Sequence, residues 1–297
     1  MVCSCGKYGL GYLPIVLLVN TGGCFITTYL IAAYSGHVSF EFPYISDTGS
    51  DPPESCIFTF FLSIGAFLAA AIIFIRYRHV ADYNREDVNK VLRINKAAFY
   101  IGMVSPLGML LVASFQNVNV LSVHILGAGG AFFGGCIYAW LQTLITYRMH
   151  TSTSLMLDAR FLLSLFSSVS LIIAATYAEI ALLELHGKFN SNEALHWNTK
   201  NGGFRSHIAS TIGEWCTGLA FLLFFLTYVK DFSRLTLDVQ LRLHLEDPLL
   251  LSSDAHLRDS TSPTLNNPDE HEPLLHNSTS SGRNSANYLS NHKSNYI

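Results

Sequence analysis

Charge is what this chain has least of. Only 13% of its 297 residues are Asp, Glu, Lys or Arg, against about 25% in an ordinary soluble domain. So few charges cannot cover a water-facing surface, which excludes a typical soluble fold. A disulfide scaffold is excluded as well. Of the six cysteines, Cys24, Cys136 and Cys216 fall inside apolar runs and Cys3 and Cys5 sit at the extreme N-terminus. Cys56 has no obvious mate. A catalytic metal needs about three converging protein ligands. The best candidates, His124, His207 and Glu214, come from two segments and lack H-x-x-x-H spacing. No catalytic residue, metal, cofactor or nucleic-acid partner is expected.

What the chain does have is grease: half of it is hydrophobic. A helix needs about 20 apolar residues to cross a bilayer. Six runs qualify, near 10–34, 55–75, 97–115, 123–147, 161–183 and 207–229. The first is too long for the apolar core of a cleavable signal, about 7–15 residues, and reads as a retained span. The expected fold is all-α: a polytopic membrane bundle of six transmembrane helices. A cytoplasmic segment 1–9 precedes it and a disordered cytoplasmic tail 233–297 follows. Cys3 and Cys5 beside the first span are candidates for palmitoylation, ordinary free thiols being the alternative.

The sixth run carries an anomaly. Glu214 lies inside it, and a charge at the centre of a span costs about 3 kcal/mol on insertion scales. His207 is two helical turns earlier and shares its face with Ser210, Thr211, Glu214 and Gly218. Two readings stand side by side. The stripe is a site opening toward the His207 end, or its groups hydrogen-bond neighbouring helices as bundle glue. In the fourth run Gly130 and Gly134 form a GxxxG pair, a spacing that lets helix backbones approach. Gly102, Pro106 and Gly108 predict a kink in the third.

The connections divide by charge. The loop 35–54 holds Glu41, Asp47, Asp51 and Glu54 and no Lys or Arg. Its Asp47-Thr48-Gly49-Ser50 copies the aspartic-protease signature. That chemistry needs two carboxylates sharing a proton on a β-scaffold that a loop of this length cannot build, so Asp47 and Gly49 read as turn formers. The link 76–96 is basic, with Val88, Val91, Leu92 and Asn95 on one helical face between Lys90, Arg93 and Lys96. It reads either as an amphipathic element on anionic lipid, at about 1 kcal/mol per cation, or as a solvated extension of the third span. The link 148–160 is short and hydrophilic. Leu195-His196-Trp197 suits an interfacial anchor.

All but three of the eighteen Lys and Arg (Lys188, Lys200 and Arg205) fall on the side of the two chain ends. The positive-inside rule makes that side cytoplasmic. His124, Glu179, His207 and Glu214 then belong to the lumenal or extracellular half as a candidate polar cluster. Glu214, with His124 and His207, is expected to line a cavity there. In the tail, Ser- and Asn-rich and expected to be disordered, Glu246 precedes Leu250-Leu251 and Glu270 precedes Leu274-Leu275 at the acid-to-dileucine spacing that clathrin adaptors read. Asn277-Ser278-Thr279 fits a glycosylation acceptor on the wrong side of the membrane. The partners expected are membrane lipids, anionic ones among them, and clathrin-adaptor complexes at the tail.

Several short stretches also carry a family likeness. They include Pro43-Tyr44-Ile45-Ser46-Asp47-Thr48-Gly49, Pro53-Glu54-Ser55-Cys56, Ile94-Asn95-Lys96-Ala97, Leu195-His196-Trp197-Asn198, Glu214-Trp215 and Asp231-Phe232. Spread over about 10–235, they make the chain resemble the damage-regulated autophagy modulators, six-span proteins of endosomes and lysosomes, and within them the second paralogue. The resemblance implies promotion of autophagy from the lysosomal membrane without enzymatic activity. More distant relatives act in phosphoinositide signalling and lipid-anchor remodelling, so a lipid transport or lipid-remodelling role is the second reading.

Overall fold

The computed structural model of the protein describes residues 2–5, 9–83, 88–149, 153–185, 195–200 and 202–240, with side chains at 9–82, 89–149, 153–185, 195–200 and 202–236. Its elements are β1 (Val2–Cys5), α1 (Tyr12–Ser35), a single 3-10 turn (Asp47–Gly49), α2 (Glu54–Tyr83), α3 (Val88–Ser114), α4 (Leu121–Met149), α5 (Ser154–Glu184), α6 (Phe204–Leu226), α7 (Val229–Phe232) and β2 (Leu237–Gln240). Helices α1 to α6 are each long and apolar enough to cross a membrane, the last counted together with α7. Each packs on its neighbour in sequence, and α6 returns to α1, so the six close into a ring. The outer faces carry the exposed apolar side chains, Ile26, Phe67, Leu126 and Ile172 among them. A bilayer would cover them.

Helix ends follow local rules. Gly36 adopts φ 74°, and the chain past α1 caps it by returning the Gly36 N–H to Ala33 O and the His37 N–H to Ala32 O. A left-handed C-terminal residue is the usual place for glycine. Helices α3 and α4 approach closely where a Cβ on Gly108 would strike the backbone of Gly127 and Ala131. The Ser105 hydroxyl donates to Ala131 O at 2.9 Å across the same seam. Gly130 and Gly134 face Val104, Ser105 and Gly108, so the GxxxG pair serves packing within the chain.

The links differ from the sequence reading in an instructive way. Helix α2 continues to Tyr83 and α3 starts at Val88. The segment 88–96 is therefore an extension of the third span and not a separate helix lying on the membrane. Arg76 does not end a span at the surface. It is 2% exposed, as Arg160 is 0%, and both turn into the bundle. The link 148–160 likewise becomes helix from Ser154. Beyond α7 the first tail residues are ordered: Leu10 N–H donates to Leu235 O at 3.1 Å, and β2 pairs antiparallel with β1. Both ends of the membrane domain thus share one side, hereafter the terminal side; the opposite is the far side. Both dileucine patterns, with Glu246, Leu250, Leu251, Glu270, Leu274 and Leu275, lie outside the described residues.

Candidate functional site

On the far side, the acidic loop between α1 and α2 folds back into the ring. Phe42 takes a positive φ of 45°, and Pro43 through Ser50 then descend between α1, α2 and α6. The Ile45 backbone N–H donates to Glu214 Oε2 at 3.1 Å, Trp215 Nε1 donates to Pro43 O at 2.9 Å, and Tyr44 OH donates to Ser210 Oγ at 2.8 Å. Three residues of α6 therefore hold one loop. The 3-10 turn that follows is buried: Asp47 is 5% exposed and Thr48 0%. Asn117 Nδ2 donates to Asp47 Oδ1 at 2.5 Å, and Ser50 Oγ donates to Asn117 Oδ1 at 2.8 Å. These bonds tie the loop to the α3–α4 connection.

The electrostatics of this plug come from burial. Desolvation pushes the Asp47 carboxyl up to about 7, against the opposing hydrogen bonds from Asn117 and the Tyr44 backbone. The Tyr44 hydroxyl holds its proton more tightly than usual, chiefly through burial, with the nearby Glu214 and Asp47 carboxylates adding to it. At the rim, His37 Nδ1 lies 2.5 Å from Glu54 Oε1. That hydrogen bond, more than the charge attraction, raises the His37 pKa.

The four residues expected to form a cluster are distributed over three settings. Glu214 and His124 both line a central cavity of about 110 Å³ enclosed by α1, α2, α3, α4 and α6. His207 stands apart from it. Its ring stacks on Trp197 at 4.5 Å between centroids, with Tyr44 edge-on at 5.1 Å. Ser39 clamps the same loop, its N–H donating to Leu195 O and its hydroxyl to Trp197 O. Trp197 is thus a buried wedge between two far-side loops, where the sequence suggested an interfacial anchor. Glu179 is exposed on α5. Of the α6 stripe, Ser210 donates to Ala174 O of α5 at 2.6 Å, which is bundle glue, while Glu214 reaches the loop and the cavity. Among the described residues no three His, Cys, Asp or Glu side chains could hold a metal ion.

A second polar cluster lies at the terminal end, and the sequence reading did not assemble it. Arg160 Nη2 and Arg76 Nη1 both donate to Asp231 Oδ2, at 2.8 and 3.3 Å. Arg76 also donates to Gln142 Oε1, and Arg160 to Thr146 Oγ1, Thr227 Oγ1 and Thr227 O. Both guanidinium groups sit over the Tyr228 ring, at 5.3 and 4.8 Å. Helices α2, α4, α5 and the α6–α7 corner meet there. The available signal was the placement of Arg76 and Arg160 at the edges of apolar runs, where one turn of helix decides between water and bundle.

Known proteins supply the family. The Frag1/DRAM/Sfk1/Cwh43P N-terminal domain matches residues 9–235, which is the ring together with its first tail residues. The chain is 37% identical over 242 residues to the cattle (Bos taurus) DNA damage-regulated autophagy modulator protein 2, covering 80% of this chain and 90% of that one. It is 35% identical over 235 residues to the mouse (Mus musculus) DNA damage-regulated autophagy modulator protein 1, covering 79% and 96%. The modulator of macroautophagy TMEM150B-B of Xenopus laevis matches at 41% over 138 residues, 46% of this chain and 57% of that one. No solved structure matches. A family match over residues 9–235 and relatives 35–37% identical over about four-fifths of the chain show that the chain belongs to the Frag1/DRAM/Sfk1 family, within its DNA damage-regulated autophagy modulator branch.

Proposed function

We propose that the protein is a non-enzymatic multipass protein of the lysosomal or late endosomal membrane that promotes autophagy, with both termini in the cytosol. The observation that carries this is the alignment over four-fifths of the chain to relatives named as autophagy modulators. The cytosolic placement of the ends rests on the Lys and Arg bias, and the lysosomal address on the two acidic dileucine patterns of the tail, read by clathrin adaptors. Replacing Leu250, Leu251, Leu274 and Leu275 together by alanine sends a tagged protein to the cell surface and lowers autophagic flux. Retention on lysosomes after that change removes the adaptor argument.

The central cavity favours a second reading, a lipid-handling role for the same membrane domain. It is intramembrane, mostly apolar, and has a carboxyl group at one end. Sites of this composition, apolar walls with a few placed polar groups, are the usual form of small-molecule pockets. Glu214→Gln, at normal abundance and location, abolishes activity under this reading and leaves it intact if Glu214 only holds the loop.

A further inference from the structure

Between α4 and α5 runs a groove of about 330 Å³ that shares no lining residue with the central cavity. Trp140, Tyr147 and Phe161 line it and are all exposed, so it opens on the face that lipid covers. Its depth follows from helix length. The 31 residues of α5 extend about 46 Å at about 1.5 Å each, against about 30 Å of hydrocarbon. Centred, such a span leaves about 8 Å at each end among the lipid headgroups. Asp158 is about 6 Å past the start of α5 at Ser154, and Tyr147 is close to the end of α4. Both stand at headgroup level on the terminal side, and Phe161 and Trp140 lie just beneath them.

Asp158 lines the groove and is exposed. Its carboxylate has no hydrogen-bond or ion-pair partner among the described residues, and none of the groove's lining residues is Lys or Arg. An unpaired acid on a transmembrane helix points to a partner of opposite charge. Aromatic rings stand beside it. Trp140 and Phe161 meet edge to face, 5.6 Å between centroids and 83° between planes. The indole is fixed, since Trp140 Nε1 donates to Ser168 Oγ at 2.9 Å. Phe161 is three residues from Asp158 and its neighbour on the α5 surface. Tyr147 is two turns from Trp140 on the same face of α4. Ring faces and a carboxylate together attract an organic cation.

The kind of cation follows from the shortage of acceptors. A primary ammonium carries three N–H donors, and each needs a partner once it leaves water. The Thr143 hydroxyl is engaged with Ala139 O and Ser164 Oγ. Beyond Asp158 and the Tyr147 phenol oxygen, the wall is ring and alkyl. A quaternary ammonium has no N–H to satisfy, and aromatic cages take that cation. The membrane lipids that carry one at headgroup level are choline phospholipids.

We propose that the α4–α5 groove holds the trimethylammonium head of a phosphatidylcholine from the terminal-side leaflet. The nitrogen sits against the Asp158 carboxylate, with its methyl groups on the rings of Tyr147, Phe161 and Trp140. The phosphate stays in the headgroup layer and the acyl chains stay in the bilayer, so the groove has to accommodate the head alone. The site is independent of the central cavity and of the autophagy assignment.

The test uses the full chain in nanodiscs of equal phosphatidylcholine, phosphatidylethanolamine and phosphatidylserine. Each lipid is supplied in turn as a photoreactive analogue, with the diazirine at one shared acyl carbon near the glycerol, and the cross-linked residues are mapped. The choline analogue labels the groove residues of α4 and α5 about fivefold more than either other analogue. Excess unlabelled phosphatidylcholine displaces it and excess phosphatidylethanolamine does not. Asp158 makes no side-chain bond among the described residues, so Asp158→Asn folds, and it brings choline labelling down toward the level of the others. Trp140→Leu combined with Phe161→Leu has the same effect. Leu126→Ala, exposed in the far-side half of α4, leaves the preference unchanged. Groove labelling by the ethanolamine or serine analogue equal to that by the choline analogue overturns the proposal. So does an unlabelled groove, which would mean that another protein segment covers it, or a preference that survives Asp158→Asn.

Discussion

The Ile45 backbone N–H and Glu214 Oε2, 3.1 Å apart, join a loop after the first span to the middle of the sixth across 169 residues. This bond gives Glu214 a structural duty beside its place in the cavity wall. It also turns an acidic connection into a plug that closes the far end of the ring.

Removing the acceptor should release the plug. Glu214→Ala leaves the buried Ile45 N–H unsatisfied, at a cost of about 1–3 kcal/mol. Glu214→Gln keeps an acceptor oxygen and should cost less. Thermal unfolding of the purified variants, with hydrogen exchange at residues 43–50, checks the order. Equal losses for the two substitutions would contradict it.

At the other end, Asp231 is the shared partner of two buried arginines. Breaking a buried ion pair by deleting one member costs about 3–5 kcal/mol, because the other charge is left uncompensated. Asp231→Ala should therefore lower the yield of folded protein sharply. Adding Arg160→Met should recover part of the loss, since one of the two stranded charges is gone. A double variant less stable than Asp231→Ala would show that Arg160 acts mainly through Thr146, Thr227 and Tyr228.

Asp47 makes the fold favour acid. Its carboxyl is raised from 3.8 to about 7 by burial, so folding favours the neutral form. The stabilisation is fully present below the unfolded value and fades as pH rises through about 7. At about 1.4 kcal/mol per pKa unit, the difference across that window reaches about 4 kcal/mol. Unfolding temperature measured from pH 4 to pH 8 should fall with rising pH, and Asp47→Asn should flatten the fall.

His37 acts in the same direction. Its pKa is raised by the bond to Glu54, so the contribution is complete below the usual histidine value near 6.5 and disappears as pH climbs past the raised one. Limited proteolysis of the 36–53 loop should be slower at pH 5 than at pH 8, and His37→Gln should remove the difference.

The seam between α3 and α4 has no room for a side chain. A Cβ on Gly127 would meet Leu111 and the backbone of Gly108 and Val112. Gly127→Val should destabilise by about 1–3 kcal/mol through overpacking, whereas Gly129→Val, where nothing lies within 4 Å, should be silent. Thermal melts of the two variants make the comparison.

The spans could be read one residue after another because preference for hydrocarbon is a local property that sums along a helix. Their even number already put the two chain ends on one side, and the charge deficit of the sixth run already singled out Glu214. Side-chain destinations are another matter, since they depend on what lies across the ring. Arg76 and Arg160 looked like water-facing ends of spans and became buried because Asp231, 155 and 71 residues away, receives them. His207 shares a helical face with Glu214 yet joins Trp197, while Glu179 points outward. Asp47 is a turn former by local chemistry and a buried acid only because Asn117 and α6 hold its loop inside the ring. Composition and period determined that this chain crosses a membrane six times. The closure of the ring decided which polar groups meet, because hydrogen bonds act over about 3 Å while their partners lie far apart along the chain.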